Sequence, residues 1–185
     1  MDEEDGLPLG WNDERLPLHS VVSFYYSDEG TARRSLAFLR AGLAEPGTFC
    51  LALADPSRQR AILDLLQDGH DGDLQELIDA GKLALVAGRP SFDELAQAMA
   101  SRMDQALAGG HVRVRFLGFV AWGQPGWPDL SALRLCEAQV NRMAAVYPAV
   151  VVCAYSVPQL PGDYVREKCL GNEPVIVVNH RVVPG

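Results

Sequence analysis

The chain has 185 residues, 48% of them apolar and 22% charged, enough apolar bulk for one full hydrophobic core. Its 16 Lys and Arg against 24 Asp and Glu leave a net charge of -8, so the surface as a whole repels phosphate backbones and direct nucleic-acid binding is not expected. Apolar stretches such as Ala144 to Ala154 fall short of the roughly 20 residues of a bilayer-crossing helix, and the MDEEDG start lacks the basic-then-apolar order of a secretory signal; a cytoplasmic protein without membrane contact is expected.

Residues 1–17 are rich in acids, with prolines at 8 and 17 and no helical or strand period, which predicts a flexible acidic tail ahead of one domain over 18–185. From Ser20 onward, short β-branched or aromatic runs alternate with segments of helical period. That alternation predicts an α/β fold, a three-layer sandwich with a mainly parallel central sheet. The first strand is Val21 to Tyr26. Ser27 and Asp28 offer capping oxygens to a helix whose stripe is Leu36, Leu39 and Leu43, and Gly42, Pro46 and Gly47 are expected to end it.

Phe49 to Ala54 reads as a strand buried on both faces, and Asp55-Pro56-Ser57 starts a helix carrying Ile62, Leu63, Leu65 and Leu66. An acidic, glycine-rich turn over 68–73 leads to a short helix with Leu74, Leu77 and Ile78, then a third strand, Lys82 to Ala87. Ser91 with Glu94 forms a capping box for a helix facing inward through Leu95, Met99 and Met103, stopped by Gly109-Gly110. The fourth strand, His111 to Gly118, alternates Val112, Val114 and Phe116 with Arg113 and Arg115, a half-polar pattern. The loop from Trp122 to Pro128 has the chemistry of a binding rim. Leu133, Cys136, Val140 and Ala144 mark another helix, Val150 to Tyr155 a central strand, and Val175 to Val178 with Val182-Val183 a terminal strand or hairpin.

The obvious chemistries fail on residue type. The loop after the first strand, Ser27-Asp28-Glu29-Gly30-Thr31, has neither GxxxxGK[ST] nor GxGxxG, and two carboxylates stand where a phosphate needs positive potential. No nucleophile elbow surrounds a Ser or Cys, so no enzyme activity is expected. Cys50, Cys136 and Cys153 fall in apolar runs as buried, inert thiols, with Cys169 less certain, and no CxxC pair occurs. His19, His70, His111 and His180 are spread over four segments, and the DGHDGD turn is too short for an EF-hand loop, so neither a metal nor another cofactor is expected.

What remains is a pocket for a small, partly apolar molecule. Ligands of wound sheets bind beyond the carboxyl ends of the strands, which here present Tyr25, Tyr26, Asp55, Arg89, Trp122 and Tyr155, with Glu137 adding a polar group from its helix. Taken singly, each has an ordinary structural use: rings close cores, and Asp55 caps a helix.

The ordered series His19, Phe24-Tyr25, Asp28-Glu29, Phe38-Leu39, Gly42-Leu43, Ala80-Gly81-Lys82-Leu83, Gly118, Trp122, Glu137, Asn141 and Cys153-Ala154-Tyr155 resembles the MEDS domain, a sensory domain of methanogens and methylotrophs found in a dichloromethane-responsive regulator. The resemblance runs from His19 to about Val178. It implies a RecA- or KaiC-like fold with a degenerate P-loop, sensing small hydrocarbon derivatives without catalysis. It departs from the family's usual pattern at Phe119, where an acid is common, at Cys136 for Tyr, at Ser156 for an acid and at Glu173 for His. The expectation is a prokaryotic signal-transduction domain that binds a small organic ligand. The signal would leave through a partner kinase or transcriptional regulator, or through a homodimer. The alternatives are an adaptor whose ligand site has closed, with Trp122 to Trp127 as a contact patch, and a nucleotide-binding protein.

Overall fold

The structure, a computed structural model, describes residues 6–11, 14–70, 72–160, 162, 175–178 and 181–183. Its strands are β1 (Leu7–Pro8), β2 (Arg15–Leu16), β3 (Ser20–Tyr26), β4 (Thr48–Leu53), β5 (Leu83–Val86), β6 (Arg113–Val120), β7 (Ala149–Ser156), β8 (Val175–Val178) and β9 (Arg181–Val183). The helices are α1 (Glu29–Arg34), α2 (Leu36–Ala44), α3 (Pro56–Gln67), α4 (Leu74–Asp79), α5 (Phe92–Ala108) and α6 (Leu133–Val146).

The larger sheet has the order β5-β4-β6-β7-β3-β8-β9. The five strands from β5 to β3 are parallel, and β8 and β9 extend the sheet antiparallel, the terminal hairpin expected from the sequence. β7 sits in the middle, as its unbroken apolar run requires. Side chains alternate between the two faces. Val22, Phe24, Tyr26, Cys50, Ala52, Leu117, Phe119 and Val152 join the core under α1–α4, while Tyr25, Leu51, Leu53, Phe116, Val120, Val151, Cys153 and Tyr155 join the core under α5 and α6. Among the described residues no helix is long and apolar enough to cross a membrane.

Four local expectations need correction. The acidic N-terminal segment is not a loose tail over its described residues: β1 and β2 pair, and Leu7, Leu9 and Leu16 are buried in the first core with Trp11 packed on Phe24 and Phe38. Gly42 does not stop its helix. It lies buried inside α2, where a Cβ would meet the Arg115 side chain and come within 2.6 Å of Cys50 Sγ, so the absence of a side chain is what lets helix and sheet approach. The helix breaks earlier, at Ser35, whose hydroxyl donates to Ala32 O at 2.7 Å.

The third correction concerns Arg115, which is not on a solvent face but fully buried. Its Nη2 and Nε donate to the Glu45 carboxylate at 2.7 and 3.3 Å, its Nη1 to the carbonyls of Pro8 and Phe38 at 2.6 and 3.3 Å, and its guanidinium lies 4.9 Å from the Phe38 ring centre. One side chain thus joins β6, α2 and the N-terminal hairpin. Fourth, the strand begins at Arg113 rather than His111, because the amides of His111 and Val112 are taken by Ala106 O and Gly47 O. The entry to β3 is held by His19, which has φ +70°: its amide donates to Ala149 O at 2.6 Å and its ring Nδ1 to Ala144 O at 3.0 Å.

Candidate functional site at the carboxyl ends of the strands

β4 leads into α3 on one face and on to β5, whereas its neighbour β6 leads toward α6 on the other face and on to β7. Their carboxyl ends therefore diverge, the geometry that opens a crevice in wound sheets. Arg58, near the start of α3, reaches this point. Its guanidinium lies 4.8 Å from the Phe119 ring and 5.9 Å from the Tyr26 ring, and pairs with Glu29 of α1 at 3.1 Å. Tyr26 and Phe119 meet edge to face, with centres 6.3 Å apart. Burial pushes the Tyr26 hydroxyl above its ordinary range, partly opposed by the Arg58 charge and a hydrogen bond with Ser156, its register partner on β7.

Asp55 caps α3, accepting from Arg58 N at 2.9 Å and Ser57 Oγ at 2.6 Å. Burial pushes its carboxyl up, but the Ser57 and Arg58 hydrogen bonds and the Arg58 charge outweigh that and hold it below the usual range. The turn after β3 is filled by its own acid. Asp28 Oδ1 accepts the Thr31 amide and Oδ2 its hydroxyl, both at 2.9 Å, and these bonds, the amide first, hold the carboxyl below its ordinary value. The backbone donor that a phosphate would use is engaged by a carboxylate.

On the opposite face, register sets Tyr25 beside Tyr155, and the rings stack with centres 5.3 Å apart and planes 20° from parallel. Tyr155 hydrogen-bonds the Cys153 thiol, and the charge of Glu137 is felt by both Cys153 and Cys136. Asn141 donates to Glu137 O at 2.9 Å, so the pairing of these residues one turn apart is a backbone contact within α6.

The seven residues singled out from the sequence thus form two groups rather than one. Tyr26 and Asp55 gather around Arg58 on the α1–α4 face; Tyr25, Tyr155 and Glu137 lie on the α5–α6 face. Arg89 belongs to neither. It follows β5, three strands from β7 and so about 14 Å across the sheet, and its Nη1 donates to Ala87 O and Gly88 O. Trp122 is not on an exposed rim: it is 5% exposed and Trp127 7%, the two rings meet edge to face at 5.8 Å, and Phe92 lies 6.4 Å from Trp122. Trp127 packs flat on Gly88, where a Cβ would come within 2.5 Å of the indole.

Sequence reasoning missed Arg58, Phe119 and Glu29 as a unit, because a guanidinium over a ring joins distant parts of the chain without any local period. The one available signal was Phe119, a ring where the resembled family commonly has an acid. Among the described residues no group of three or more His, Cys, Asp or Glu could hold a metal ion.

The thiols are inert by burial, which pushes Cys50 and Cys153 up to about 12 and Cys136 up to about 11. At pH 8 the native protein is expected to leave all three unmodified by iodoacetamide, while the urea-unfolded chain alkylates at each; peptide mass spectrometry distinguishes the two.

A search of curated proteins gives no match. A family model does match, over residues 21–170, which covers the parallel sheet, both aromatic groups and Arg58. The chain belongs to the MEDS family, the methanogen/methylotroph DcmR sensory domain.

Proposed function

We propose that the chain is a non-catalytic sensory domain that holds a small organic molecule at the carboxyl ends of β3, β6 and β7 and relays its presence to a partner kinase or transcriptional regulator in the cytoplasm. The observation that carries this reading is the furnishing of those ends. Rings and one guanidinium stand there, Tyr25 on Tyr155 and Tyr26 with Phe119 under Arg58, while the turn after β3 is closed by Asp28. Such a site suits an apolar or weakly polar hydrocarbon derivative and is poorly furnished for a triphosphate, since its one cation, Arg58, already pairs with Glu29. A RecA- or KaiC-like sheet that has lost its phosphate loop accounts for both features.

The test is a thermal-shift screen of small halogenated alkanes, alcohols and simple aromatics, beside ATP with magnesium. A ligand at about ten times its Kd is expected to raise Tm by about 3–5 °C, an effect lost in Tyr155→Ala. Stabilisation by ATP instead overturns the reading. An adaptor whose ligand site has closed is the second reading, favoured by the burial of the same rings: Tyr25 is 2% and Tyr155 3% exposed. It predicts that every compound in the screen is silent.

A further inference from the structure

The described sheet ends at β5, which pairs with β4 on one side and has no described strand on the other. The β4-side amides of Cys50 and Ala54 donate to Lys82 O at 2.8 Å and Val86 O at 3.1 Å. Alternate residues of a parallel strand serve opposite neighbours, so the backbone groups of Leu83 and Leu85 point away from the sheet. Two hollows flank this row. One, of about 360 Å³, is lined by Leu83, Gly81, Ile78 and His111; the other, of about 320 Å³, by Ala87, Arg89 and Ser101; Leu85, Arg102 and Gln105 line both.

Neither hollow is lined by a carboxylate, in a chain where acids outnumber bases 24 to 16. Arg102 is exposed and donates to the neutral Gln105 Oε1 at 3.4 Å, and the exposed Arg89 donates to backbone carbonyls. Asp79 is engaged by Gln75 Nε2 at 2.8 Å and Asp104 by the Tyr147 hydroxyl at 2.9 Å, while the exposed Asp93 and Glu94 at the start of α5 line neither hollow. The edge is therefore locally cationic. That argues against self-pairing, since two copies joined at this edge would bring both Arg89 and both Arg102 side chains to one seam.

We propose that the β5 edge captures an extended acidic segment of a partner protein by strand addition. The backbone of Leu83 and Leu85 supplies the pairing, and carboxylates at alternate positions on the α5 side meet Arg102 and Arg89. This site is separate from the strand ends, and its occupancy does not depend on what they hold.

The probe is a short fluorescein-labelled peptide alternating valine with glutamate, titrated with the full chain and read by anisotropy. Saturable binding is expected, weaker at about 0.5 M salt. It is expected to be absent for the lysine-for-glutamate peptide and for the same peptide N-methylated at alternate residues. Arg102→Glu, on an exposed position, is expected to weaken binding about tenfold with an unchanged melting curve. No saturable binding of the acidic peptide, equal binding of the lysine peptide, or indifference to N-methylation or to Arg102→Glu overturns the proposal. So does a dimer in sedimentation that Leu85→Pro abolishes, because a second copy is then the occupant.

Discussion

Arg115→Ala is expected to cost the domain about 3–5 kcal/mol, the range for removing one partner of a buried, hydrogen-bonded ion pair. Read by thermal unfolding, that is a fall in Tm of about 10 °C. The magnitude follows from what is left behind. The Arg115 side chain is 0% exposed and its Glu45 partner 28%, so the variant keeps a half-sheltered carboxylate, takes a donor from the Pro8 and Phe38 carbonyls and leaves a hole beneath Phe38. Because Pro8 O is one of those carbonyls, the β1–β2 hairpin loses its tie to the sheet, and limited proteolysis is expected to cut within residues 6–16 before any site in the core. The Arg58–Glu29 pair is a useful contrast: with side chains 25% and 53% exposed, it is worth at most about 1 kcal/mol. A Tm for Arg115→Ala within a degree or two of the parent would mean that water already shares the guanidinium.

Trp122→Ala is expected to be comparably damaging, about 3–5 kcal/mol, because the indole is core and its removal opens a cavity between Phe92 and Trp127. A rim residue would behave otherwise, changing stability by roughly 0.5 kcal/mol or less. Urea unfolding of Trp122→Ala beside Trp122→Phe separates the two: the phenylalanine variant is expected to recover much of the loss by filling the same space. The indole Nε1 is buried with no described partner, so Phe forfeits no hydrogen bond there. If both variants unfold with the parent, the loop is a surface patch after all.

The parallel sheet and its helices were legible because buried strands read as continuous apolar runs and their helices as stripes at i, i+3 and i+7. Those signals are local, and they located β3, β4 and β5 with the helices after them, and β7 with α6 before it, to within a few residues. Interactions that join distant segments left no such trace. β1 and β2 are two residues each, too short for any period, and their order comes from Leu7, Leu9 and Leu16 finding a core made elsewhere. Arg115 looked like the polar half of an alternating strand because its partner Glu45 stands at the end of α2. Gly42 looked like a helix stop, although a glycine between Leu39 and Leu43 on a buried stripe is itself a sign of close approach. Tyr25, Tyr26 and Tyr155 could be placed at strand ends from the sequence but not divided into two groups, because Tyr25 and Tyr26 are adjacent in sequence and opposite in space.

The position of β3 has a consequence for biosynthesis. It is the first described strand of the large sheet to leave the ribosome, yet the two strands that flank it, β7 and β8, are the fourth and fifth to follow it. Until Ala149–Ser156 has been translated, the nascent Val21–Tyr26 run has neither lateral neighbour to pair with, and the interval is long enough for off-pathway association. Closure of the sheet thus waits on pairings between segments far apart in sequence, which are expected to form more slowly than any of its helices.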